Sequence, residues 1–166
     1  MNLATAKVVR NGQYLVAVSG SSRGGNIAQF GWNPPQPPEN PSLQALDTFI
    51  TRKFIPQLRE VFIEAGHDYK SDSEGALQES PLLIAVCGVI YPIAMDYSWD
   101  REARNIYYGG SGGDVALGAM VGLGIEGTTD AKVAANIVYR AVEIASSWDV
   151  HTSSPIIVET QHRKKK

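Results

Sequence analysis

Three places in the sequence set side chains where they could do chemistry. Asp149 follows directly on a long amphipathic run. A carboxylate at the end of a helix meets the negative end of the macrodipole, and it is unfavourable there unless a cation or several donors hold it. Its plainer reading is an exposed carboxylate in a turn. Lys7 opens a strand-like run that turns apolar at Val8-Val9. A lysine drawn against a core needs an anion, and an aspartate is an ideal one. The plainer reading is an edge-strand lysine that guards against aggregation. Taken as a pair, the two residues predict an ion pair of Lys7 with Asp149, with Ser111 nearby.

The third place is Gly109-Gly110-Ser111-Gly112-Gly113-Asp114, between a strand-like run and a helix-like one. Strand, glycine loop and helix is the layout of a phosphate cradle. The loop lacks the Gly-Lys-Ser/Thr ending of a P-loop, and Val115 stands where a dinucleotide fingerprint needs its third glycine, so the nucleotide reading is weak. The loop can instead present one hydroxyl, Ser111, where backbone must approach closely. His67, His151 and His162 form no metal-ligand spacing with any cysteine or carboxylate pair. There is no Gly-x-Ser-x-Gly elbow. The single cysteine, Cys87, excludes an intrachain disulfide, and its apolar neighbours predict a buried structural thiol rather than a reactive one.

Elements must position these groups. The chain has 166 residues and is 43% hydrophobic, enough for one domain with a real core. Its net charge of −2 gives no bulk attraction to nucleic acid or to an acidic membrane. The first residues lack a signal-peptide pattern, and the apolar run 81–95 is too short to span a bilayer. A soluble, cytoplasmic protein is therefore expected, with no nucleic-acid or membrane partner. Asn11-Gly12 predicts a type I′ hairpin into a strand, 14–18, that is apolar on both faces. A short helix is expected over 25–32. The proline-rich stretch 33–41 could be a polyproline ligand, but the helical patterns flanking it favour a stiff loop. Ser42 caps a helix whose apolar residues run from Leu46 to Ala65, with Gly66 at its end and a kink or restart near Ile55 imposed by Pro56.

Residues 67–80 read as a loop. Residues 82–86 and 89–95 read as two strands around Gly88, and 105–108 as a third strand. A helix with Gly118 and Gly122 four apart follows, a spacing that would admit another backbone. Thr128 or Thr129 caps the next helix, with an apolar stripe from Val133 to Ala145. A last strand is expected over 155–158. The organisation is one domain, 1–160, and a basic flexible tail, 161–166, read as a solvated end.

Together these pieces resemble the proteasome β-subunit and HslV group of N-terminal-nucleophile (Ntn) hydrolases. Lys7-Val8-Val9, a turn, and an apolar strand into Ser19-Gly20 resemble the family's lysine-bearing hairpin and oxyanion-hole glycine. Residues 108–119 resemble its glycine–serine–glycine loop and the small-residue helix after it. Residues 141–153 resemble the helix that ends in its active-site aspartate. The proline-rich insertion after Trp32 departs from housekeeping subunits and is similar to the small HslV-like proteins encoded by bacteriophages.

The resemblance implies an α/β (α+β) fold, a four-layer αββα sandwich of two antiparallel sheets, here lacking N-terminal strand(s). It implies a threonine-type peptidase in which a threonine hydroxyl attacks and its own α-amine is the base. Lys7 would lower the nucleophile's proton affinity, and Asp149 would hold or orient Lys7. Ser111 and Thr152 would complete the network, and the Gly20 N–H would serve the oxyanion. It implies no cofactor and no metal, a peptide or protein substrate, a homo-oligomer and an ATPase unfoldase as partner. The departure lies at the front. Six residues precede Lys7, Thr5 is the sole threonine among them, and it is too close to Lys7 to return beside it from a neighbouring strand. No nucleophile is identified. The true start then lies upstream, or the chain is a remnant, inactive as it stands. The alternative is a pseudo-peptidase acting as a ring subunit or a binding protein.

Overall fold

A computed structural model describes residues 6–71, 75–126 and 129–161. The chain is of mixed α/β class, and its described residues fall into two compact units, 9–100 with 161, and 6–8 with 101–160. The Thr5 and Thr128 expectations lie outside the described residues.

The larger unit is built on a four-stranded antiparallel sheet. Strand β1 (Val8–Asn11) and strand β2 (Tyr14–Val18) form the first hairpin. Its loop is Gly12-Gln13, one residue later than expected. Asn11 stays in the strand and its side-chain amide donates to the Trp32 carbonyl, 3.2 Å, while Gly12 alone takes the left-handed φ of +57°. A glycine first in a two-residue loop also matches the strand twist. Strands β3 (Tyr69–Ser71) and β4 (Gly75–Leu77) make a separate small antiparallel pair, within a stretch whose polarity reads as loop. Strand β5 (Leu82–Val86) and strand β6 (Val89–Ile93) complete the large sheet in the order β1-β2-β5-β6. The register sets Leu15 opposite Ala85, and Val86 opposite Val89.

The hairpin at Gly88 forms as read, with Cys87 and Gly88 at φ 52° and 75°, the double left-handed pattern of a type I′ turn. Cys87 is therefore a half-buried turn residue and not a core thiol. β6 stops at Ile93, short of Met95, because Tyr97 takes φ 66° and the Ala94 and Ser98 backbones bond to each other across a turn. Pro92 is tolerated because β6 is an edge strand.

Helix α1 (Ser22–Phe30) starts earlier than expected. The long helical pattern resolves into helix α2 (Leu43–Phe49), a π-helical turn (Ile50–Phe54) and helix α3 (Ile55–Glu64). Ser42 caps it as read, accepting from the Ala45 N–H. Pro56 has no N–H to offer Arg52, and the Ile55 N–H reaches back five residues to the Ile50 carbonyl. The restart at Ile55 is thus the proline's doing. The wider turn also helps to hold Leu46, Ile50, Phe54, Leu58 and Phe62 on one buried face, where α-helical steps of four drift by about 40° each. Gly66 ends the helix at φ 64°, with its N–H on Ile63 and the His67 N–H on Phe62, a Schellman closure.

These helical residues join Tyr14, Val16, Leu82, Ile84, Val86, Tyr91 and Ile93 from the sheet in one core. The proline-rich stretch is seated on the first hairpin: the Tyr14 hydroxyl donates to the Pro35 carbonyl at 2.6 Å and Pro37 is buried. It is a stiff loop. Gln161, expected to open the tail, is pinned instead. Its amide donates to the Gln13 and Ala85 carbonyls and accepts from the Gly88 N–H, clipping both hairpins.

In the smaller unit, helix α4 (Gly113–Gly122) packs on helix α5 (Ala131–Ser146), with Ala116, Met120, Ala141 and Ala145 buried. Val133, placed by the pattern on the apolar stripe, is exposed. Asp130 caps α5, accepting from Lys132 and Val133. Thr129 is occupied one turn back, accepting from the Glu126 N–H. Among the described residues no backbone uses the gap at Gly118 and Gly122, where an added Cβ would meet open space. Residues 105–108 and 155–158 are irregular rather than strands. The first leaves a turn at Asn105, φ 54°, tied to Glu102, and in the second Pro155 has no N–H for a ladder.

One buried charge anchors the larger unit. The Asp68 side chain is 5% exposed and takes the Tyr97 hydroxyl at 2.8 Å and Arg59 Nε at 3.1 Å. Burial first, then the Asp68 carboxylate, pushes the Tyr97 hydroxyl far above the ordinary phenol range. Removing one donor from a buried carboxylate costs more than a neutral hydrogen bond, so Tyr97→Phe is expected to lose about 2 kcal/mol of unfolding free energy in denaturant titration. A loss under about 0.5 kcal/mol would contradict this.

Candidate functional site

The smaller unit brings three of the expected residues together. α5 does not release the chain at once: the Trp148 and Asp149 N–H groups both bond to the Ala145 carbonyl, 3.0 and 2.9 Å. A turn follows, closed by the Thr152 N–H on the Asp149 carbonyl at 3.1 Å. It folds Thr152 back so that its Oγ1 donates to Asp149 Oδ2 at 2.5 Å. From the other side Ser111 Oγ donates to the same oxygen at 2.8 Å.

Ser111 is delivered by the glycine loop. Gly110 takes φ 84°, the Gly113 N–H closes on the Gly110 carbonyl at 3.1 Å, and Gly112 is the N-cap of α4. A Cβ on Gly112 would collide with Thr152 Oγ1 and stand 3.1 Å from Asp149 Oδ2. That close approach is what the glycine-rich spelling serves. It also resolves the electrostatic problem of Asp149. The residue sits at the negative end of α5, but its carboxylate lies at the positive end of α4, with two hydroxyls on it.

The Thr152 hydroxyl, followed by that of Ser111, holds the Asp149 carboxyl below the ordinary aspartate range. Partial desolvation opposes them, and the His151 N–H and imidazole reinforce them. The sequence offers His151 no metal-ligand spacing, and the structure gives it a different role, beside the Asp149 carboxylate. Its position between Asp149 and Thr152, inside the turn, is the sequence signal for that neighbourhood.

Lys7 lies exposed just ahead of β1. Gly20 belongs to the larger unit, at the end of β2, with φ 81°. The Ser19 N–H goes to the Pro81 carbonyl at 3.1 Å and the Ser21 N–H to the Glu79 carbonyl at 3.4 Å, which leaves the Gly20 N–H outside that pairing. Among the described residues no group of three His, Cys, Asp or Glu side chains is placed to hold a metal ion, and no helix is long and apolar enough to cross a membrane.

Hydrogen bonds to its charged form keep the Asp149 carboxylate ionised, so it takes protons poorly. The arrangement can orient hydroxyls and stabilise a neighbouring cation. It does not activate Ser111 as a nucleophile, because the acceptor of the Ser111 proton is too weak a base.

No protein-family model matches the chain, and no curated protein sequence does. Solved structures match in fold. A bacterial proteasome homologue (BPH) of Thiobacillus denitrificans in complex with epoxomicin superposes with a TM-score of 0.60 at 21% identity, over 90% of this chain and 75% of that one. The same protein described without epoxomicin gives 0.59 at 21% identity, over the same shares of both chains. The eukaryotic HslV of Trypanosoma brucei gives 0.50 at 19% identity, over 90% and 76%. At these identities the likeness is one of fold.

The hydroxyls make the folded Asp149 more acidic than the unfolded one. Their contribution is therefore complete above the ordinary aspartate pKa and is lost as pH falls through the folded value. Thr152→Ala and Ser111→Ala are each expected to raise the Asp149 midpoint in a carboxyl-carbon NMR titration, Thr152→Ala by more. A midpoint unmoved by both substitutions would contradict the shared-acceptor geometry.

Proposed function

We propose that this chain is a proteasome/HslV-like peptidase in lineage, a four-layer αββα Ntn fold whose Asp149 cluster supports an amide-hydrolysing site. The observation that carries the reading is the shared acceptor: Asp149 Oδ2 receives Ser111 and Thr152 at once, on the loop and helix end where the sequence resemblance expects them. The fold likeness to BPH and HslV supports the same lineage. In this reading Lys7 is the cation served by the Asp149 carboxylate and lowers the proton affinity of the attacking group. Ser111 and Thr152 hold the carboxylate in one orientation beside that group's amine. The Gly20 N–H receives the oxyanion. The substrate is a peptide or protein, the assembly a homo-oligomer served by an ATPase unfoldase, and the location cytoplasmic.

The attacking group is none of the residues in the cluster. Ser111 and Thr152 both donate to an acidic carboxylate, and neither has a free α-amine as base. The 166-residue chain is therefore expected to leave proteasome-type peptide reporters uncleaved across pH. Fusing an upstream segment that opens on threonine should switch hydrolysis on, and Lys7→Ala should switch it off again. Turnover by the unextended chain that survives Thr5→Ala and dies with Ser111→Ala would overturn the reading in favour of a serine nucleophile.

A further inference from the structure

Three of the polar side chains sealed into the larger unit join one another and have no part in the carboxylate cluster. His67, Gln78 and Ser80 are 6%, 1% and 0% exposed. Burying such groups is unfavourable unless each finds a partner, so the partners show what the burial maintains. Ser80 Oγ donates to the Ser21 carbonyl at 3.2 Å. A hydroxyl has one proton and a carbonyl can only accept. The 3.3 Å contact between Ser80 Oγ and His67 Nε2 must therefore have the imidazole as donor. The chain of bonds runs one way, from His67 Nε2–H to Ser80 Oγ–H to the Ser21 carbonyl. That carbonyl also accepts the Gly25 N–H at 3.0 Å, where α1 begins. Ser80 is steadied from its other side by its own N–H, which donates to Gln78 Oε1 at 2.5 Å, while Gln78 Nε2 donates to the Ala94 carbonyl at 3.2 Å.

The backbone that this chain of bonds reaches is the one carrying Gly20. Residues 79–81 run beside 19–21, but the tie from the Ser21 N–H to the Glu79 carbonyl is long, 3.4 Å. The Ser80 hydroxyl adds a second hold on Ser21. The packing leaves no slack: a Cβ on Gly20 would strike the Glu79 carbonyl, and one on Gly24 would strike both Ser80 Oγ and His67 Nε2. An oxyanion donor must be placed before the charge develops, by groups that do not themselves touch the substrate. We infer that Ser80, oriented by His67, is a positioning residue that fixes the Gly20 amide. The inference rests on the proposed role of Gly20, but the placement of the amide can be read without any peptidase activity.

The test uses amide NMR on the 166-residue chain. In the unsubstituted protein the neutral His67 ring should carry its proton on Nε2. Ser80→Ala should shift the Gly20 and Ser21 amide resonances and speed exchange of the Ser19 and Ser21 amides about tenfold, leaving the Ile84 and Tyr91 amides unchanged. Where Ser80→Ala does not fold, His67→Leu set against His67→Gln makes the same comparison one bond further out. A neutral His67 protonated on Nδ1, unmoved Gly20 and Ser21 resonances, or a loss of protection spread evenly over the unit would each overturn the inference. Whether Gly20 serves an oxyanion is decided by the peptidase assay, so either reading can fail without the other.

Discussion

One carboxylate oxygen, Oδ2 of Asp149, fixes the chemistry of the smaller unit. Helix α5 carries the residue to a place where a negative charge is unfavourable, and the chain answers with donors instead of burial. A turn returns Thr152, a glycine loop brings Ser111, and the N-cap of α4 offers its positive end. Each local oddity follows from that requirement. Gly112 has no side chain because Thr152 and Asp149 occupy its space, and Gly110 has a left-handed φ because the loop must close within four residues.

The larger unit solves a related problem with different chemistry. Its buried polar groups are paired in short chains, Arg59 and Tyr97 on Asp68, and His67 on Ser80 on Ser21. Each chain ends on a carboxylate or a carbonyl, so no buried donor is stranded along it. The aromatic core around Phe54 and Tyr91 supplies the apolar burial, and the polar chains fix segments that apolar packing alone would leave free to slide.

What the sequence made legible was whatever local chemistry dictates. The Gly88 hairpin, the Ser42 cap, the restart forced by Pro56 and the buried face of the long helix all follow from neighbours within a few residues. Ser111 and Asp149 stand out because the glycine loop and the helix end each advertise a constraint, whereas Thr152 is reached only through the family resemblance. The misreadings share a cause. Residues 105–108 and 155–158 have strand-like composition, but a strand needs a partner, and composition does not say whether one exists. The β3–β4 pair had the opposite fault, being two three-residue strands set in a stretch that is polar as a whole. Asp130, and not Thr129, caps α5, because Thr129 is committed to Glu126. The burial of His67 and Ser80 had no local signal, since their partners lie 13 and 59 positions away.

The central claim is that Ser111 and Thr152 act through one acceptor. A double-mutant cycle tests it most directly, with Asp149→Ala combined in turn with Ser111→Ala and Thr152→Ala and unfolding followed in denaturant. If the carboxylate is the shared partner, each hydroxyl substitution matters in the parent and ceases to matter once Asp149 is gone. Strictly additive losses in both cycles would mean that the hydroxyls and the carboxylate act independently, and the site as described would not exist.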